Sequence, residues 1–200
     1  MKKFLFLVFV CVVIALPAPV PAAEPTDTLQ LHIDEVVSIL KDPQYQTDAQ
    51  KDQQREKIWK IIRQIFDFER ISKLSLGKYW KDFNPKQLKE FTDLFTDLLG
   101  DTYLKKIQGE YKNEKVNYLS QEIGSDANSD KAQVKTEIVR ENIKIPVDYS
   151  LWNNKGAWRI YDVKIEGVSL VKNYRNQFQK ILLNKMPDNL IEKLKNKLEE

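Results

Sequence analysis

Residues 158–182 read WRIYDVKIEGVSLVKNYRNQFQKIL. The stretch opens as a strand, Trp158 to Ile165, and closes as an amphipathic helix. Gly167 breaks the first pattern. Ser169 can cap the second, and Val171, Tyr174, Phe178, Ile181 and Leu182 then follow at helical spacing, predicting a helix over 170–186. A strand feeding directly into a helix raises the question of which layers it joins.

The flanking sequence answers it. Upstream, Ala132, Val134, Thr136 and Ile138 alternate with Gln133, Lys135, Glu137 and Val139. Ile145, Val147, Tyr149 and Leu151 alternate with Pro146, Asp148, Ser150 and Trp152. Such alternation predicts half-buried antiparallel strands, with Val116 to Ile123 as the first and Trp158 to Ile165 as the last of four. Turns are expected at Ser125 to Asp130 and at Asn153-Asn154-Lys155-Gly156, where Asn and Gly tolerate positive φ.

Before residue 110 the period is helical. Leu29, Ile33, Val36, Val37 and Leu40 form one stripe, and Ile58, Ile61, Ile62, Ile65 and Phe66 a second. Leu88, Phe91, Leu94, Phe95, Leu98, Leu99 and Ile107 form a third, started by Asn84-Pro85-Lys86-Gln87 with a cap, a first-turn proline and a capping-box glutamine. A shorter helical piece over Phe68 to Trp80 links the second stripe to the third. Pro187-Asp188 starts a last helix with Leu190, Ile191, Leu194 and Leu198 on one face. Helices, a four-strand meander, then helices make a segregated α+β layout, whose sheet has one apolar face for the helices to cover.

The N-terminus is of another kind. Lys2 and Lys3 precede an uninterrupted apolar run of 13 residues, Phe4 to Leu16, followed by prolines and alanines. That order predicts a secretory signal, cleaved after Ala22, leaving 23–200 as one domain. The run is short for a membrane span, which needs about 20 apolar residues. Cys11 lies inside the run, too early and after too large a neighbour for a lipid-attachment cysteine. Cleavage removes two lysines and the single cysteine, so the formal charge falls from +3 to +1 and no disulfide can form. Near-neutral charge gives no reason to expect a nucleic-acid partner.

Catalytic templates fail on inventory. His32 is the single histidine, expected within the first helix, and nothing beside it completes a metal set. Neither a nucleophile elbow nor a phosphate-binding glycine loop is present. Asp148 and Asp162 lie on predicted strands, so an acid–base pair is conceivable. The alternative is that Asp162 pairs with Arg175 and sets the strand–helix angle. The rest is apolar and aromatic: Trp158, Tyr161, Tyr149, Trp152, Tyr103, Phe95 and Phe178 are all expected in the sheet–helix layer.

The quoted stretch closely resembles the signature of the toluene-tolerance, MlaC-like family of periplasmic phospholipid-binding proteins. Asp162-Val163, Glu166-Gly167-Val168-Ser169 and Asn173-Tyr174-Arg175 with Phe178 carry the resemblance. Upstream, 66–107 resembles the family's helical half, including Leu76-Gly77, Tyr79-Trp80 and the start at Pro85, Gln87 and Phe91. The resemblance implies a cone-shaped, NTF-like α+β fold whose helices and four-stranded sheet enclose a lipid pocket. It implies a non-enzymatic periplasmic carrier, monomeric and without cofactor, with a phospholipid as cargo. Its partners would be an outer-membrane lipoprotein complex and an inner-membrane MCE-domain protein with its ABC transporter. A sister branch is associated with hopanoid biosynthesis, which leaves the lipid class open. The tails are then expected between Val134, Ile138, Val147, Tyr149 and Leu151 on the sheet and Phe95, Leu99, Tyr103, Val171 and Phe178 on the helices. Gly167 would permit the sharp turn, while Ser169 and an Asp162–Arg175 pair would hold the last long helix off the sheet.

Overall fold

The structure, a computed structural model, describes residues 24–124, 130–184 and 186–199. The expected leader over 1–22, its cleavage point and all of the Ser125–Asp130 turn except Asp130 lie outside the described residues.

Among the described residues six helices and five strands follow in the order α1 (Pro25–Lys41), α2 (Asp48–Ile65), α3 (Phe68–Leu76), α4 (Pro85–Glu110), β1 (Lys115–Ile123), β2 (Lys131–Arg140), β3 (Ile143–Asn154), β4 (Ala157–Ile165), β5 (Val168–Ser169), α5 (Leu170–Leu182) and α6 (Pro187–Glu199). A 3-10 turn over Gly77–Asp82 joins α3 to α4. The strands form an antiparallel meander in chain order. The α+β class is as expected.

Local chemistry explains most of the boundaries. Asn84 accepts the Gln87 N–H while the Gln87 side chain accepts the Asn84 N–H, and Pro85 occupies the first turn of α4. Thr47 and Gln50 form the same reciprocal box, so α2 begins ten residues before the first member of the stripe that predicted it. The β3–β4 hairpin turns through Lys155 (φ 54°) and Gly156 (φ 93°), with Asn153 accepting the Gly156 N–H.

Elsewhere the structure departs from the expected pattern, first in the piece expected over Phe68 to Trp80, which is α-helical only to Leu76. A fifth strand replaces the plain break at Gly167: Glu166 (φ 48°) and Gly167 (φ 81°) reverse the chain so tightly that Val168 and Ser169 pair back onto Ile165 and Lys164. A two-residue strand has no periodicity to read. Helix α5 stops at Leu182 rather than Met186, because Leu183 and Met186 face outward and Pro187 disfavours helical backbone before it. The pairing of β3 with β4 slips by one residue, from Ser150–Asp162 to Leu151–Ile160, leaving Tyr161 as a bulge.

The apolar residues gather in two packed clusters. One is built from α3, α4, α5 and α6 and centres on Phe91, Phe95, Tyr174 and Phe178. The other joins Leu29 of α1 and Ile65 of α2 to Ala132, Val134, Leu151, Trp158 and Ile160 of the sheet. Among the described residues, Phe66 packs against both. It also bridges Ile160 at the edge of β4, where the Asp67 N–H donates to the Ile160 carbonyl at 2.8 Å. Phe66 and β5 therefore cover successive parts of that edge.

Candidate functional site

The strand–helix junction joins the sheet to the helical cluster. Ser169 caps α5, accepting the Lys172 N–H at 3.0 Å. Its own hydroxyl donates to Asp162 at 2.6 Å, and the second Asp162 oxygen accepts the Val171 N–H at 3.0 Å. The carboxylate thus satisfies the first turn of α5, where the helix dipole favours negative charge. The expected Asp162–Arg175 pair does not form. Arg175 lies six residues beyond the cap, about 9 Å along the axis, and its Nε donates to the Leu74 carbonyl at 2.7 Å, closing the last turn of α3. A Cβ on Gly77 (φ 59°) would lie 3.3 Å from the Arg175 side chain, so this glycine is needed for both its backbone and its closeness.

Neither candidate acid faces the apolar layer. Asp148 is opposite Lys164 in the ladder, and their charged groups lie 3.9 Å apart. Asp148 and Asp162 share the parity of Ser150, opposite to that of Val147 and Tyr149. The geometry gives no acid–base pair in an apolar pocket. His32 hydrogen-bonds through Nδ1 to the Thr28 carbonyl within α1 at 2.8 Å. Among the described residues no group of three or more His, Cys, Asp or Glu side chains could hold a metal ion.

The ten residues expected to line a lipid pocket divide between the clusters. Phe95, Leu99, Val171 and Phe178 are buried members of the helical cluster, with Tyr103 packed against it. The Phe95 ring centroid lies 4.8 Å from Tyr174, 5.0 Å from Phe178 and 5.6 Å from Phe91, so these rings face one another. Val134 and Leu151 belong to the sheet-side cluster, with Tyr149 packed against it. Val147 is buried yet is in neither cluster, and Ile138 is half-buried. Trp152 and Tyr161 are also outside both. They flank Arg70, whose guanidinium is 4.3 Å from the Trp152 ring and 5.1 Å from Tyr161. The bulge takes Tyr161 out of the alternation that placed it inward.

Burial along the inner face of the sheet is lopsided. At one end Ala132, Val134, Leu151, Trp158 and Ile160 are all buried. Toward the other end, roughly 20 Å away along β3, cover fails: Ile138, Ile145 and Val163 are half-buried, Ile165 is 43% exposed and Ile143 61%. These residues share registers, Ile138 opposite Ile145 and Val147 opposite Ile165, with Val168 beyond it 62% exposed. An apolar strip therefore leads from a filled core to the surface.

Polar groups mark the middle of this strip. Thr136, opposite Val147, donates its hydroxyl to the Val147 carbonyl at 2.9 Å. Burial pushes the Tyr149 hydroxyl up to about 12. The Tyr118 hydroxyl is buried without a protein partner, and burial with the nearby Asp34 charge raises it further. An unpartnered buried hydroxyl costs about 1–3 kcal/mol. Sequence reasoning missed Tyr118, although it belongs to the predicted first strand and the alternation of Val116 and Tyr118 places it inward.

A polar groove of about 830 Å³ opens near the filled end, lined by Arg63, Asp67, Arg70, Lys73, Trp152 and Arg159 among others. Its charges are largely engaged: Arg63 with Asp97, Lys73 with Glu69, and Asp67 with the Trp152 indole.

Comparison with known proteins follows the same fold. The profile of the family described as MlaC protein matches residues 30–196. The intermembrane phospholipid transport system binding protein MlaC of Haemophilus influenzae is 28% identical over 123 residues, covering 60% of this chain and 56% of that protein. The match thus spans little more than half the length of that relative. The toluene tolerance protein ttg2D of Pseudomonas putida is 27% identical over 165 residues, covering 80% of this chain and 73% of that protein. The phospholipid-binding protein from Ralstonia solanacearum, solved in complex with a phospholipid, superposes with a TM-score of 0.75 at 23% identity, over 89% of this chain and 100% of that one. At that identity the likeness establishes the shared fold, while the profile, matching most of the chain, establishes the kinship: this chain belongs to the MlaC protein family.

Proposed function

We propose that this protein is a periplasmic phospholipid carrier that takes the acyl tails of one lipid along the uncovered inner face of its sheet. The observation that supports this most is the lopsided burial, from Leu151 at 0% exposed to Ile165 at 43% and Ile143 at 61% on one apolar face. Ile138, Val147 and Tyr149 form the floor of the slot, with Tyr103 and Val171 on its helical side. Phe95, Leu99 and Phe178 back that helical side as packed support out of contact with the tails, and Val134 with Leu151 close the blind end.

The physical need is clear. Two acyl chains of about 15 methylenes each cost on the order of 20 kcal/mol to expose, at ~0.8 kcal/mol per methylene. A barrier of that size slows unaided transfer to roughly minutes per event. A slot of bilayer-like affinity removes it. The headgroup stays at the open rim of the strip, because burying a phosphate without counter-charge is expensive. Donor and acceptor are an outer-membrane lipoprotein complex and an inner-membrane MCE-domain protein with its ABC transporter, and these partners set the direction of transfer.

The test is solvent extraction of the purified protein followed by mass spectrometry. One diacyl phospholipid per chain is expected. A polycyclic triterpenoid would move the carrier to the hopanoid branch, and protein without lipid would overturn the proposal.

A further inference from the structure

Tyr118 stands on β1 opposite Thr136 of β2, and Tyr149 stands on β3 opposite Val134. The two tyrosines therefore share the inner face on either side of β2, two residues apart in register, and both pack against the sheet-side cluster. Their surroundings restrict what Tyr118 can bond. The Thr136 hydroxyl already donates to the Val147 carbonyl. The charged group facing Tyr118 is Asp34 of α1, and the titratable neighbour across the sheet is Tyr149. The Tyr118 hydroxyl is buried with no protein partner.

Buried hydroxyls in folded proteins find acceptors. The acceptor here has three required properties. It lies within an apolar strip, it is neutral because a carboxylate stands nearby and a buried anion is costly, and it sits between the tails and the headgroup. A fatty-acyl ester carbonyl meets all three.

We infer that the Tyr118 hydroxyl donates a hydrogen bond to a glycerol-ester carbonyl of the carried lipid, which makes the protein selective for ester-linked over ether-linked lipids. This inference rests on the carrier function proposed above. Tyr118 acts as a depth gauge: it stops the lipid where the first carbonyl reaches the phenol, leaving the headgroup outside whatever its chemistry.

The experiment compares loading of delipidated protein from vesicles containing either dipalmitoyl phosphatidylglycerol or its dihexadecyl diether analogue. The wild type is expected to favour the diester by about 5- to 10-fold, the value of one neutral hydrogen bond. Tyr118→Phe should hold both lipids equally, at the wild-type diether level. Delipidated Tyr118→Phe should melt no lower than wild type, since its lost hydroxyl had no protein partner. Equal affinity of the wild type for the two lipids, or an ester preference that survives in Tyr118→Phe, would overturn the inference while leaving the carrier intact. Failure of the wild type to hold either lipid would remove both.

Discussion

The helical cluster and the sheet-side strip are made of similar residues but differ in how they are completed. Around Phe95 every ring has a ring for a neighbour, and the buried phenol at its heart, Tyr174, has the Tyr103 and Thr102 side chains beside it. On the strip, Ile138, Ile145 and Val163 are only partly covered and the Tyr118 hydroxyl has no protein partner. Apolar character alone does not separate a core from a binding surface. What separates them is whether the protein supplies the opposing atoms.

Substitutions in the two regions should have opposite consequences. Phe95→Ala should cost about 3–5 kcal/mol in urea unfolding, as for other fully buried aromatics. Lipid per folded molecule should stay unchanged, and the milder Phe95→Leu should keep cargo as well. Loss of lipid from folded Phe95→Leu would make the helical cluster part of the binding surface. Val147→Trp should do the opposite. It should lower lipid occupancy at least tenfold, about 1.4 kcal/mol of binding, by placing an indole where tails pass. Full occupancy in that variant, read by extraction and mass spectrometry, would move the slot elsewhere.

The joint between the regions allows a smaller but cleaner test. Asp162→Ala removes the acceptor for the Ser169 hydroxyl and the Val171 N–H and should cost about 1–2 kcal/mol. Arg175→Ala removes the donor to the Leu74 carbonyl. The two losses should add within about 0.5 kcal/mol in a double-mutant cycle, since the side chains serve different helix ends. A coupling well above that would restore the ion pair expected from sequence.

The smallest effect concerns pH at the uncovered end. Glu114 is desolvated, which by itself raises its pKa. Bonds from its own and the Lys112 backbone and from Arg140 outweigh this and hold it below the ordinary value of 4.5. A depressed carboxylate contributes stability that is complete above the ordinary value and is lost as pH falls through the folded one. Glu114→Gln should therefore be less stable than wild type at pH 7 and converge with it only as pH falls through the depressed folded value. A constant difference across that range would show that Arg140 contributes nothing through charge.

Much of the architecture was legible because it rests on local rules. The Asn84–Gln87 box, the hairpin at Lys155-Gly156 and the Ser169 cap are short-range chemistry. The alternation along β2 and β3 depends only on strand geometry. What escaped the sequence was non-local. Periodicity says that Val134 and Phe95 point inward but not that they belong to different clusters. Asp162 met a helix N-terminus nine residues away rather than a cation, because unsatisfied N–H groups compete with guanidinium for a carboxylate. Tyr118 was passed over because an inward tyrosine looks like core until its hydroxyl is found without an acceptor.

The account stands or falls on which of the two regions touches hydrocarbon. A phospholipid carrying a diazirine in its acyl chain, loaded into the protein and irradiated, reports this directly after peptide mapping. Crosslinks are predicted on the peptides bearing Tyr118, Ile138 and Val147–Tyr149. Labelling confined to the peptides bearing Phe91, Phe95 and Phe178, or no labelling of the sheet, would contradict it.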